Sequence, residues 1–299
     1  MANASEAPEP ILPAPAREMS AADAAKAKQR AFLRNTFARF ATAMVGIPIL
    51  LYLMFWAPSW AFSVVVLACI ARAAHETMRM TVVGVPHLHW VGVASTTAFA
   101  GVLIFLPTEA AIVTAIFGVG AIGALSSLSA PEPNEAAGMR LAWLIAGPFY
   151  VGGLLSNVGT LHHVDQGGEW VLLAMWIAWA SDTGAYFAGR FFGKHKLAPR
   201  VSPSKTVEGS IGGLLGSLTG GLAAHFWFLP TLPLTHAIGL ALVGGALGQA
   251  GDLVESLIKR STKVKDSGSI LPGHGGLLDR VDALMFTATT CVLYNLWVG

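Results

Sequence analysis

Residues 251–282, GDLVESLIKRSTKVKDSGSILPGHGGLLDRVD, hold the side chains best suited to chemistry. Four Asp, one Glu, five Lys or Arg and one His fall in this stretch, beside five Gly, four of them between 268 and 276. Gln249, Asp252, Ser256 and Lys259 recur at i, i+3, i+7 and i+10, one stripe of a helix. Asp279 and Asp282 share a face at the start of the next helix. Carboxylates brought together repel unless a cation stands between them. Hard oxygen ligands, completed by phosphate oxygens, are what Mg²⁺ prefers. No Cys/His set points to zinc.

The same stretch supplies the opposite charge in Lys259, Arg260, Lys263, Lys265 and Arg280. A phosphate group brings up to about two negative charges, so a site for two phosphate-bearing substrates needs several cations. Gly268, Gly273, Gly275 and Gly276 allow close backbone approach and positive φ. A basic loop lying on anionic lipid headgroups would explain the Lys and Arg. It explains neither the three Asp nor the PGHGG run.

Two upstream stretches carry further candidates. In WASDTGAYFAGRFFGKHK, Asp182 and Tyr186 lie one turn apart, with Gly189 on the same face. An Asp near the end of a membrane helix points to a functional site, although a plain helix end in water is the rival. GRFFGK is not a phosphate-binding P-loop, which needs four residues between its glycines and then Lys and Ser/Thr. In LAPRVSPSKTVEGSIGG, Ser204, Lys205 and Thr206 precede a helix whose N-terminal N–H groups would suit a phosphate. Ser204 or Thr206 as a mere N-cap with Glu208 nearby is equally open. Further back, Arg72, His75, Glu76 and Arg79 share one helix face. They read either as a wall of the cavity or as an internal Arg72–Glu76 pair.

Elements able to position these groups must be membrane helices. Hydrophobic residues make up 54% of the chain and charged residues 12%, against about 25% charged in an ordinary soluble domain. That composition excludes a disordered or disulfide-built chain, and Cys69 and Cys291 read as small buried hydrophobes. A bilayer is crossed by about 20 apolar residues, and nine spans fit: 38–56, 59–79, 89–106, 110–128, 140–158, 169–188, 208–229, 236–255 and 280–298. The expected fold is therefore an all-α polytopic bundle. Its Gly/Ala-rich spans should pack inside, and Trp56, Trp60, Trp90, Trp170 and Trp297 should anchor span ends at the interface.

With the N-terminus cytosolic, the external segments 57–58, 107–109, 159–168 and 230–235 contain no Lys or Arg, and all 19 fall on the cytosolic side. Residues 1–37 then form a polar tail without a signal peptide, and 38–168 an N-terminal set of membrane helices. Residues 169–299 form a catalytic membrane region with cytosolic loops 189–207 and 256–279. His87, His89, His162, His163, His225 and His236 lack metal-ligand spacing and read as loop or interface residues.

The string Ser256-Leu-Ile-Lys-Arg, four residues, Lys265-Asp266, then LPGHGGLLDRVD ending at Asp282 resembles the signature of the phosphatidate cytidylyltransferase (CDP-diacylglycerol synthase) family. SDTGAYFAGRFFGK and SPSKTVEGSIGG resemble that family's upstream motifs in the same order. The likeness covers 175–299; the first five spans match only in being hydrophobic, and the tail not at all. It implies a nucleotidyltransferase of phospholipid biosynthesis that converts CTP and phosphatidate to CDP-diacylglycerol and pyrophosphate. It also implies an integral membrane homodimer using Mg²⁺, with a monovalent cation such as K⁺ beside it, and Asp252 and Asp279 as metal carboxylates.

On this reading Asp282 is a further metal ligand, and Asp252, Asp279, Lys205, Lys265 and Arg280 carry the catalysis. Ser204, Lys205, Lys259, Arg260, Lys265, Asp266, His274, Gly275, Gly276, Asp182 and Tyr186 bind the substrates. The partners are CTP, phosphatidate and membrane lipids, not nucleic acid. The place expected is a bacterial inner membrane, with the site facing the cytosol. A phosphate nucleophile is already anionic, so no strong base is needed. The protein must join two anions in line and neutralise the leaving pyrophosphate. A transporter is the rival of another class, but no internal repeat with interrupted spans is visible. A CDP-alcohol phosphotransferase lacks its paired-Asp motif here, and a CTP-dependent lipid kinase would leave no cytidine on its product.

Overall fold

The computed structural model describes residues 44–129, 136–268 and 275–298. Among them the chain is helical almost throughout. In order come α1 (Met44–Phe55), α2 (Ser59–Thr81), α3 (Pro86–Phe105), α4 (Glu109–Ser127), α5 (Ala137–Gly147), α6 (Leu154–Leu161) and α7 (Gly167–Phe192). A short hairpin follows, β1 (Lys196–Ala198) and β2 (Ser202–Thr206), then α8 (Val207–Ala223), α9 (Leu234–Ser261) and α10 (Leu278–Trp297). The tail 1–37 lies outside the described residues.

Five helical runs are long and apolar enough to cross a membrane: α2, α3, α4, the continuous run Ala137–Leu161 and α9. The protein is accordingly an all-α membrane protein. Among the described residues, helices also lie over the remaining four expected spans, as α1, α7, α8 and α10. Pro148 explains why α5 and α6 are joined by a π-helical turn, Pro148–Gly153. Its ring displaces the carbonyl a turn earlier and its nitrogen has no hydrogen to donate, so the turn widens instead of breaking. A second π-helical turn, Ala224–Phe228, ends α8.

The outer surface is apolar, as lipid contact requires. On α4 only Val119 and Gly123 are buried, and Phe117 is 75% exposed. Trp56, Trp60, Trp90 and Trp297 stand exposed near helix ends, in keeping with interfacial anchoring. Trp170 departs from that expectation: it is buried and packs on Tyr294 with ring centroids 5.6 Å apart. Inside, α7 and α8 touch backbone to backbone. A Cβ at Gly184 would strike the Gly212 carbonyl oxygen, and one at Gly216 the carbonyl oxygen of Ala180. Small residues permit that approach.

The hairpin falls within 189–207, which hydropathy reads only as a loop. It pairs Lys196 with Thr206 and Ala198 with Ser202 in antiparallel register. Strands this short and polar leave no alternating pattern to detect. At the far end of α9 the chain reverses through Lys263, at φ 59°. Val264 N donates to Lys259 O (2.9 Å) and Lys263 N to Arg260 O (3.1 Å), the paired closure of a left-handed helix cap. This cap turns the loop back toward α10.

Candidate active site

A cavity of about 440 Å³ lies where α7, the hairpin, α8 and α9 converge. Asp182, Tyr186, Gly189 and Arg190 line it from α7, Ser204 and Lys205 from β2, Ser210 from α8, and Gln249 and Asp252 from α9. Lys205 Nζ stands 2.6 Å from Asp252 Oδ2. Gln249 is held by Ser210, whose hydroxyl donates to its Oε1, and its own Nε2 donates to Ser210 O (3.1 Å) and Ser181 Oγ (3.2 Å).

The Ser204–Thr206 stretch does two things at once. Thr206 caps α8, its hydroxyl accepting from Gly209 N at 3.1 Å. Ser204 and Lys205, just before the cap, line the cavity. Glu208 takes no part in a capping box. It binds His195 Nδ1 at 2.6 Å and accepts from Lys194 N at 3.0 Å, fixing the strand entry against α8.

The second group of charges lies between α9 and α10. Asp252, Glu255 and Asp282 each offer a carboxylate oxygen, all within 4.8 Å of one another. Glu255 is 1% exposed, and among the described residues its Oε1 has no hydrogen-bond partner. Asp282 is also buried, and its Oδ1 accepts from Ala283 N (2.8 Å). Three carboxylates this close repel strongly. An all-oxygen donor set with a buried unpaired oxygen fits a hard divalent cation.

Asp279, expected in that set, is not one of the compact trio, but its carboxylate meets that of Glu255. Its Oδ1 faces Lys259 Nζ at 2.8 Å, and its carboxylate accepts from Ser267 N (3.1 Å) and Gly276 N (2.9 Å). Lys259 also contacts Glu255, so one ammonium links the trio to Asp279. Glu255 was hidden in plain view. It sits at i+3 from Asp252 and i−4 from Lys259, on the edge of the stripe credited to Gln249, Asp252, Ser256 and Lys259. Tyr150 was missed too. It lies in the π-helical turn, and its hydroxyl is buried without a partner among the described residues.

The remaining candidates surround these two groups. Ser256 Oγ makes a long contact, 3.4 Å, to Asp252 Oδ1. Arg260 reaches Val201 O and Val264 O, both at 3.4 Å, between α9 and the hairpin turn. Lys265 and Asp266 are exposed just before Ser267, and Arg280 is exposed in the first turn of α10. Gly275 adopts φ +79°, the left-handed conformation expected of this run, and Gly276 is buried. His274 and Gly273 lie outside the described residues. On α2, Arg72 and Glu76 do pair, at 3.0 Å, and Glu76 also accepts from the start of α10 at Leu277 N and Leu278 N.

Known proteins resemble this chain in sequence. A phosphatidate cytidylyltransferase of Staphylococcus aureus (strain COL) is 39% identical over 192 residues, 62% of this chain and 72% of that protein. One of Staphylococcus epidermidis (strain ATCC 12228) is 38% identical over 197 residues, 64% of this chain and 74% of the relative. One of Staphylococcus haemolyticus (strain JCSC1435) is 39% identical over 195 residues, with the same two shares, 64% and 74%. The sequence model of the cytidylyltransferase family matches residues 37–297. That match takes in every described helix and both charged groups, and the chain belongs to the cytidylyltransferase family.

Proposed function

We propose that this protein is a phosphatidate cytidylyltransferase, moving CMP from CTP to phosphatidate to give CDP-diacylglycerol and pyrophosphate. The observation that carries the reading is the meeting of two lysine–carboxylate pairs, Lys205–Asp252 and Lys259–Asp279, with an acidic trio that shares Asp252 with the cavity. Membership of the cytidylyltransferase family and relatives named for this activity support it.

A phosphatidate phosphate oxygen attacks the α-phosphorus of CTP, the bond to the bridging β-oxygen breaks, and pyrophosphate departs with that electron pair. Lys205 and Ser204 hold phosphate oxygens at the cavity wall, while Asp182 and Tyr186 shape the opposite wall. Arg260, Lys265 and Arg280 add positive charge at the loop. Asp279 accepts from the loop N–H groups of Ser267 and Gly276 and faces Lys259, tying the loop to that ammonium. Asp266, Gly275 and Gly276 contribute substrate contacts from the same loop, and His274 is assigned to the substrates by its place in the sequence alone. Asp252, Glu255 and Asp282 would hold Mg²⁺, with K⁺ beside it. When bound, that cation supplies charge neutralisation on the phosphate oxygens. Everything else in the step is orientation and preorganised charge.

The site reads as facing the cytosol, where CTP is found, in a chain crossing a bacterial inner membrane nine times as a homodimer. The lack of Lys and Arg in 57–58, 107–109, 159–168 and 230–235 supports that orientation. The test is direct. Purified protein with phosphatidate, Mg²⁺ and α-labelled CTP should give labelled CDP-diacylglycerol on thin-layer plates and release pyrophosphate. A phosphorylated lipid without cytidine would identify a kinase instead, and absence of any CTP-dependent product would end the proposal.

A further inference from the structure

We infer that Glu76, on a helix outside every signature stretch, is a positioning residue for the transfer. Together with Asp279 it clamps the two described ends of the loop between α9 and α10. Glu76 is 1% exposed. It accepts from Leu277 N (3.1 Å), Leu278 N (2.9 Å) and Ser267 Oγ (3.2 Å), and Arg72 lies 3.0 Å away. Asp279 accepts from Ser267 N (3.1 Å) and Gly276 N (2.9 Å).

Ser267 therefore gives its hydroxyl to Glu76 and its N–H to Asp279. The segment Gly276–Leu278 divides its N–H groups between the same two carboxylates. The fit leaves no room for side chains. A Cβ at Gly268 would strike Glu76 Oε1, and one at Gly276 would strike Ser267 Oγ and Glu76 Oε2. Asp279 in turn faces Lys259. Glu76 thus acts on the reacting groups through Asp279 and Lys259 without touching them.

The chemistry demands a carboxylate. Oε1 takes Leu277 N and Arg72, and Oε2 takes Leu278 N and Ser267 Oγ, so each oxygen accepts from two donors. A glutamine turned either way points its NH₂ at a main-chain N–H and leaves that donor unpaired in a buried place. Glutamine at this position frees one end of the loop while filling the same volume.

The activity readout rests on the function proposed above, whereas a second readout, tryptic cleavage, does not. The variants are E76Q, E76D, S267A and E76Q with S267A, against the wild type and the exposed control E109Q, all purified in detergent. Rates are taken per folded protein from gel filtration. We expect kcat of E76Q to fall about 10- to 100-fold, E76D to recover part of it, and E109Q to match the wild type. S267A should fall less and add little on top of E76Q, because both remove the same clamp. Trypsin should cut after Lys263 and Lys265 faster in E76Q.

A wild-type kcat and wild-type tryptic pattern in E76Q would overturn the inference. So would effects of E76Q and S267A that multiply as independent changes, which a remote stability role predicts. Should E76Q fail to fold, S267A decides: a lowered kcat with faster tryptic cleavage upholds the clamp, and no change in either refutes it. If the wild type makes no CDP-diacylglycerol while E76Q still speeds cleavage, the clamp stands and the proposed reaction falls.

Discussion

Lys259 of α9 stands 2.8 Å from Asp279 of α10 and also contacts Glu255, so one ammonium serves two carboxylates on different helices. Truncating it to methionine keeps the apolar stem and removes the charge. Glu255, 1% exposed, is then left buried with no lysine beside it. Breaking a buried pair in this way costs about 3–5 kcal/mol. Lys259→Met should lower the unfolding midpoint in detergent and abolish turnover of α-labelled CTP.

Asp279→Asn should fold and insert normally, since its volume is unchanged, yet lose turnover by more than about 100-fold. The amide weakens the hold on Lys259 and on the N–H groups of Ser267 and Gly276 together. Membrane fractionation checks the insertion, and the labelled-CTP assay checks the loss. A variant with near-normal turnover would remove Asp279 from the mechanism.

The acidic trio makes a separable prediction about the cation. Glu255→Gln and Asp252→Asn should each raise the Mg²⁺ concentration needed for half-maximal rate by about 10- to 100-fold. Titrating Mg²⁺ at saturating CTP reads this shift. An unchanged titration curve in Glu255→Gln would mean that the cation is held by Asp252 and Asp279 without Glu255.

Gly216→Ala tests the α7–α8 seam away from the site. The new methyl group meets the Ala180 carbonyl oxygen, a main-chain atom that cannot rotate aside. Overpacking of this kind costs about 1–3 kcal/mol. The unfolding midpoint should fall, while KM for CTP in the surviving folded protein stays near the wild-type value.

Hydropathy made the helices legible, because a membrane span announces itself in one continuous run: four of the five long apolar runs end within about three residues of the expected limits, while α9 continues to Ser261, past the expected end at 255. The signature residues were legible for the same local reason. What stayed hidden depended on distance along the chain. Glu76 meets Ser267 and Leu278 across 191 and 202 residues, and nothing near position 76 announces those partners. Glu255 was visible but lay on the margin of a stripe with better-known neighbours. Trp170 looked like an anchor by position and turned inward because Tyr294 offered it a ring. Lys263 gave no warning of its left-handed turn, which glycine or asparagine would have signalled.

The last helix is stitched to much earlier ones. Thr289 of α10 receives a hydrogen bond from Asn157 of α6 at 2.9 Å, and Thr287 gives one to Ala174 O of α7 at 3.0 Å. A nascent chain halted on the ribosome before Leu278 would already have made Asp252 and Lys259, but would carry neither Asp279 nor Asp282 to complete them. On the proposed mechanism, a chain made only as far as Leu277 should therefore turn over no CTP, so the order of synthesis itself would guard against a half-built site.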